Sequence, residues 1–319
     1  MKIMDPFSDT GHDGNSQQQN VYLQPSCEKG ILYNYPAVLK LLNQKLPFGL
    51  AEIARCFRKN IHDNSDKFLF NLPEFTQMSM QFYSPPSVAT KWMNVWQRER
   101  IIWWRKFAGY PSKFHLTDIK MTETQQTVDI QYEFPWGVDS VEIITNRGDV
   151  DLVELERQSG INMQGRYGRK VVTPVVIETT AGLDRGMLAY LLDAYQEKER
   201  SDTRGKLKER KILRLHMKIT PIKVVVHPIK NTRELREISE HLAKELRLSG
   251  VNTLYVCDAM TLDQHLVRFD EMGVPFTVII NEGTLKTGVI GMRSRDTALR
   301  EQMHITEVKT LLLEHLKKE

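Results

Sequence analysis

A fresh alternation of strand and helix patterns begins at Pro221 and runs to the C-terminus, so the end of the chain must fold as a layered α/β unit of its own. Ile222–Val226 is a β-branched run. Asn231, with Glu234 three residues on, is a helix-start signal, and Leu235, Ile238, Leu242 and Leu246 share one helical face that ends at Gly250. Strands are expected at Thr253–Cys257 and Phe276–Ile280. A last helix starts near Thr306, with Val308, Leu311, Leu312 and Leu316 as its apolar residues. These elements define a small domain over 221–319.

Upstream, helical apolar spacing marks Ile31–Leu42, Lys91–Phe107 and Gly182–Tyr195, while Thr127–Tyr132 and Ser140–Thr145 alternate like strands. The class is therefore mixed α and β, with a first domain over 20–197. Between the two domains, Lys198–Lys218 holds nine Lys/Arg against three Asp/Glu, a local net of +6 in a chain whose total is +4. This run reads as a basic linker over 198–220. Residues 1–19 are polar and acidic, with neither an apolar core nor an Arg-rich amphipathic stretch. They read as a disordered tail, not as a secretory signal or a recognisable mitochondrial presequence.

Several chemistries lack their residues. There is no P-loop, GxGxxG, HExxH or GxSxG pattern, and the nine histidines have no metal-ligand spacing. The three cysteines are far apart, without CxxC spacing, so they read as reduced thiols and not as a disulfide framework or zinc site. No metal or cofactor is expected. No apolar run approaches the ~20 residues of a membrane span. Trp96, Trp103 and Trp104 in Lys91–Phe107 read as core before they read as stacking platforms for bases.

Longer stretches carry a resemblance. YLQPSCEKGILYNY (22–35), LPFGLAEIARCFRKN (46–60) with LPEFTQMSMQFY (72–83), and TTAGLDRGMLAYLLDAY (179–195) resemble, in order, the LRPETAQG segment, motif 2 and motif 3 of class II glycyl-tRNA synthetases. PIKVVVHPI, DEMGVPFTVII and MRSRD resemble the synthetase anticodon-binding domain. WQRERIIWWRKFAGYPSKF (96–114), LDRGMLAYLLDAYQ (183–196) and FTVIINEGTLKTGVIGMRSRDTALREQMHIT (276–306) resemble the accessory subunits of mitochondrial DNA polymerase gamma, descendants of that scaffold. The implied fold is a class II synthetase-like antiparallel-sheet domain followed by a small α/β anticodon-binding-like domain.

The resemblance also implies catalytic silence. Arg58 and Arg185 stand at surviving phosphate-clamp positions, or persist as buried ion-pair partners. Gln24, Ser26, Asn60, Pro73, Ser79 and Gln81 stand where the synthetases carry charge. Neutral groups cannot supply the electrostatic stabilisation that adenylate formation needs. By the same resemblance the chain is a non-catalytic processivity subunit in mitochondrial DNA replication, binding the catalytic polymerase subunit and double-stranded DNA in the mitochondrial matrix and nucleoid. The alternative is a glycyl-tRNA synthetase relative that binds tRNA or another nucleic acid. The stretch before residue 22 is too short for class II motif 1, so monomer and homodimer both stay open.

Candidate DNA contacts are Arg204, Lys206, Lys208, Arg210, Lys211 and Arg214, with a solvated linker as the alternative. Arg98, Arg105 and Lys106 beside the tryptophans, or Arg166, Arg169 and Lys170 in the GRYGRK turn, are the next candidates. Candidate polymerase contacts are Thr284–Thr287 and Arg293, Arg295 and Asp296, where Arg295 has a second reading as a structural bridge to Asp296 or Glu301.

Overall fold

The structure is a computed structural model that describes residues 23–58, 69–70, 72–123, 125–201 and 207–318. The expected tail over 1–19, and Asn60, Arg204 and Lys206, lie outside these residues. The chain forms two compact units, one of Met1–Arg105 with Ser112–Ala189 and one of Lys106–Pro111 with Tyr190–Glu319. The division thus comes earlier than the sequence pattern implies, and Lys106–Pro111 joins the second unit. Phe107 packs edge-on against Tyr190 and His216. Asp193 accepts the backbone N–H groups of Gly109 and Tyr110. A buried carboxylate holding two backbone donors fixes that short segment more firmly than its sequence suggests.

The first unit opens with α1 (Glu28–Leu41), the hairpin β1 (Phe48–Phe57) and β2 (Glu74–Ser84), and α2 (Ala89–Lys106). It continues through β3 (Phe114–Leu116), β4 (Lys120–Met121), β5 (Gln126–Phe134), β6 (Gly137–Gly148), α3 (Val150–Ser159), β7 (Gly165–Tyr167), β8 (Lys170–Val172) and β9 (Val175–Gly182). α4 (Leu183–Ala194) runs across the division between the units. Seven strands make one antiparallel sheet in the order β1-β2-β9-β6-β5-β3, with β4 also on β5. β1 pairs with β2 without a slip from Phe48↔Tyr83 to Phe57↔Glu74.

The two faces of this sheet differ. On one, Trp104 of α2 is buried, stacks on Phe114 at 5.6 Å, and donates its indole N–H to Glu142. A Cβ on Gly186 would lie 2.7 Å from the Trp104 ring, so only glycine lets α4 approach this closely. Of the tryptophans read as core, Trp104 is the one fully enclosed; Trp103 stays 38% exposed. The other face carries polar residues from β2 and β9 and lines an open cleft.

In the second unit β10 (Tyr195–Ser201) and β11 (Leu207–Leu213) form an antiparallel ribbon. The basic run is therefore not a plain linker, because Ile212 and Gln196 are buried at the base of the ribbon. β12 (Val224–Pro228), α5 (Arg233–Leu248), β13 (Thr253–Tyr255), α6 (Leu262–Glu271), β14 (Phe276–Ile280), α7 (Glu282–Thr287), β15 (Val289–Ser294), β16 (Arg300–His304) and α8 (Val308–Lys318) follow. Their sheet runs β13-β12-β14-β15-β16, parallel among the first three and antiparallel beyond. β12 is buried along its whole length, as a strand covered on both faces must be. Leu235, Leu242 and Leu246 of α5 and Leu312 of α8 join Val224 and Val226 on one side; Leu266 and Phe269 of α6 join Val225 on the other. The N-cap of α5 is Thr232, whose hydroxyl accepts the Leu235 N–H, and not Asn231.

Candidate functional site

The cleft of the first unit encloses about 390 Å³ between β2, β6, β9 and the ends of α1 and α4. Arg58 and Arg185 both line it, so the structure brings these two expected remnants together. Arg58 donates to the Pro25 carbonyl at 3.2 Å and lies over the Phe75 ring. Arg185 donates to the Phe70 carbonyl at 2.7 Å and lies over the Phe70 ring. Among the described residues neither guanidinium has a carboxylate within ion-pair distance, so their reading as buried ion-pair partners is set aside. Burial, and then the charge of Arg58, lower the Arg185 pKa, while Asp139 opposes that shift.

Gln77 of β2 lines the cleft, and the neutral side chains of β2 bond largely among themselves and to β9, although the Gln77 Oε1 is buried without a partner among the described residues. Gln77 donates to Ser79, and Ser79 meets Thr180 across the β2–β9 pair at 3.3 Å. Gln81 donates to Glu178 at 3.3 Å and accepts from the Tyr83 hydroxyl at 2.8 Å. Beside them Arg147 of β6 reaches Glu178 at 2.8 Å, Glu28 at 3.1 Å and Asp151 at 2.6 Å. This cluster is absent from the sequence reading, because its members come from α1, β6, α3 and β9. A charged residue in the middle of an otherwise uncharged strand, such as Glu178 in Val175–Gly182, is the available signal.

The second unit sorts the remaining expected residues. Register places Lys198, Lys208 and Arg210 on one face of the ribbon and Glu197, Glu199, Glu209 and Lys211 on the other. Lys198 and Lys208 are exposed. Arg210 is not available for phosphate contact, since it donates to both oxygens of Asp263 at 3.1 and 2.9 Å. Lys211 sits directly across from Glu197, and Arg214 pairs with Asp296 at 3.4 Å. The expected polymerase contacts Arg293 and Arg295 are interior braces. Arg293 makes a bidentate bond to Asp270 at 2.8 Å. Arg295 donates to the carbonyls of Leu213, Gly273 and Leu215 and pairs with Asp296. A guanidinium that is 3% exposed and spends its donors internally has none left for a partner protein. Asp296 is 39% exposed and lines a cavity of about 590 Å³ with Phe107, His216, Phe276, Met303 and His315.

Comparison with known proteins places this geometry. An anticodon binding domain model matches residues 223–315. The DNA polymerase subunit gamma-2, mitochondrial, of Xenopus laevis is 40% identical over 303 residues, covering 92% of this chain and 65% of the relative. The DNA polymerase subunit gamma-2 of Bos taurus is 38% identical, with 92% and 62% covered. A glycine–tRNA ligase of Streptomyces coelicolor is 32% identical over 316 residues, with 96% of this chain and 68% of the ligase covered. The chain belongs to the glycine–tRNA ligase family. It is also similar to the DNA polymerase gamma-2 subunits, and it spans 62–65% of the length of those from Bos taurus and Xenopus laevis. The antiparallel sheet is the synthetase-like part, and residues 223–315 form its anticodon-binding domain.

In this synthetase-like cleft Glu178 titrates unusually. Burial, and then the charge of Glu28, push its carboxyl from 4.5 up to about 7, against the pull of Arg147 and Gln81. The folded state therefore keeps a proton that the unfolded chain releases. The stability from this group is full below the unfolded value and is lost as pH rises through about 7. Glu178→Gln is expected to flatten the pH dependence of stability between those two values. The full effect is about 3 kcal/mol at most, from ~1.4 kcal/mol per pH unit. Thermal unfolding of both proteins across that range checks it; parallel curves would show that Glu178 titrates normally.

Proposed function

We propose that the chain is a non-catalytic accessory subunit of the mitochondrial DNA polymerase, binding the catalytic subunit and double-stranded DNA in the mitochondrion and raising processivity. The observation that carries this reading is the 40% identity to a polymerase gamma-2 subunit over 92% of the chain, against 32% to a glycine–tRNA ligase over 96% of it. The neutral side chains of β2 support it. Ser79 and Gln81 leave β2 without the carboxylates that the synthetase resemblance expects, and Arg147 already occupies Glu28, Glu178 and Asp151. Glycine-dependent exchange of pyrophosphate into ATP should equal background in the purified protein. Clear exchange would favour the ligase reading, for which the two uncompensated cations Arg58 and Arg185 speak.

The roles within this reading follow the units. The anticodon-binding domain supplies the polymerase contact through exposed groups such as Leu285, Lys286 and Asp296, not through Arg293 or Arg295. Duplex DNA is contacted by the basic face of the ribbon, through Lys198 and Lys208. Each phosphate contact adds about 0.9 to the slope of log K against log salt. Lys198→Gln with Lys208→Gln should flatten that slope by about 1.8 for any DNA sequence. An unchanged slope would remove the ribbon from the DNA site. Polymerase co-purification should survive the double substitution.

A further inference from the structure

The GRYGRK turn forms a cationic surface that the reading above leaves unused. β7 and β8 make a short hairpin, with Tyr167 paired to Lys170 and Gly168 at φ +61° in the turn. The loop after α1 lies along its outer edge. Lys45 bridges Arg166 in parallel, Leu46 donates its N–H to the Arg166 carbonyl at 2.9 Å, and Arg166 donates its N–H to the Gln44 carbonyl. A Cβ on Gly165 would come within 2.6 Å of the Leu46 side chain, so the hairpin and the loop are locked together at a point where only glycine fits. The platform is therefore rigid, and ordering it on binding costs little.

Lys45, Arg166, Arg169 and Lys170 are all exposed on this platform, and Lys40 stands one turn before them at the end of α1. Residues 160–173 and 40–48 contain no Asp or Glu. Among the described residues no carboxylate lies within ion-pair distance of any of the five. Of the acidic residues that flank the hairpin along the chain, Glu156 is engaged by the Met163 N–H and Glu178 by Arg147 and Gln81. Five cations with no ion-pair partner among the described residues stand on the hairpin and the loop beside it, Arg166 on the face of Val171 and Lys170 on the face of Tyr167, and they focus positive potential in a chain whose net charge is only +4. The exposed Tyr167 ring, paired across the hairpin with Lys170, offers a flat apolar face.

We infer that this edge is a phosphate-backbone contact for nucleic acid, carried by the synthetase-like unit and separate in sequence from the ribbon. It deepens the DNA-binding part of the function proposed above. The bridge sets Lys45 beside Arg166 at the ~5 Å spacing of adjacent strands, and Arg169 and Lys170 follow at the turn, a spread of charge that suits a run of phosphates better than one isolated anion. Guanidinium groups bond phosphate oxygens in pairs, and an aromatic ring accepts a base or sugar. A lipid surface is the weaker fit, because Val171 is the one strongly exposed aliphatic side chain within the hairpin strands.

The test uses the full chain without polymerase, titrated with a labelled mixed-sequence duplex, a single strand and anionic vesicles over a range of salt. Arg166→Gln, Arg169→Gln and Lys170→Gln together should flatten the salt slope for nucleic acid by about 2.7 and weaken binding on the order of 10²-fold at 0.1 M salt. The Lys198/Lys208 variant, measured alongside, should lose its own increment independently. All three substituted residues are exposed, so the thermal midpoint should not move, and Arg169→Gln alone should give about one third of the slope change. If the ribbon variant loses affinity and the triple variant does not, the inference is overturned while the DNA reading stands. If the wild-type chain binds no nucleic acid, or the triple variant loses only vesicle binding, the inference fails. A deficit confined to a protein partner overturns it as well.

Discussion

Arg293→Ala is expected to destabilise the anticodon-binding domain by about 3–5 kcal/mol, enough to unfold much of it at physiological temperature. Arg293 on β15 and Asp270 near the end of α6 are both nearly enclosed and share two hydrogen bonds of 2.8 Å. Removing one charge takes the bidentate partner from the other inside the protein, which costs far more than the pair itself contributes. Asp270→Asn should be damaging for the same reason. A paired replacement by apolar residues of similar volume, Arg293→Met with Asp270→Leu, should recover most of the loss. Chemical denaturation of the full chain, followed by a probe in the second unit, reads each effect. Equal stability of Arg293→Ala and the wild type would show that the pair is solvated in solution.

Trp104→Ala is expected to cost a comparable 3–5 kcal/mol in the synthetase-like unit. The ring is buried against Phe114 and Gly186, so its removal leaves a large cavity. The substitution also removes a donor from Glu142, a fully buried carboxylate whose other partner is Arg100 at 2.7 Å. Trp104→Phe weighs the two contributions, since it keeps most of the volume and loses the N–H together with the outer ring atoms that meet Gly186. It should recover more than half of the stability in a thermal melt. If the phenylalanine variant were as unstable as the alanine one, the hydrogen bond to Glu142 would outweigh the packing.

Burial pattern made some elements legible in advance and chain distance hid others. Phe276–Ile280 appears as a strand at its expected bounds because a fully buried β-branched run has few other uses. The start of α5 is displaced by one residue, since Asn231 and Thr232 are both capping types and the side-chain bond goes to Thr232. The basic run misled for a different reason. Alternation along a ribbon puts Glu197, Glu199 and Glu209 on one side and Lys198 and Lys208 on the other, and a window sum of charge averages over both. MRSRD reads as an exposed basic turn until Asp270, 23 residues upstream, and the carbonyls of Leu213 and Leu215, about 80 residues upstream, are brought against it. The Glu28–Arg147–Glu178 cluster spans separations of 119 and 31 residues. The one local signal is the carboxylate of Glu178 inside its strand, and its partners come together only in the folded sheet.

The central claim is that the chain lengthens DNA synthesis by another subunit while performing no reaction itself. The direct measurement is single-encounter primer extension by the mitochondrial polymerase catalytic subunit, with an excess of trap DNA, in the presence and absence of this chain. The account predicts that the chain co-purifies with that subunit and shifts the products to much greater length, with no extension when the chain acts alone. Product lengths that do not change with added chain, together with its failure to co-purify, would contradict it.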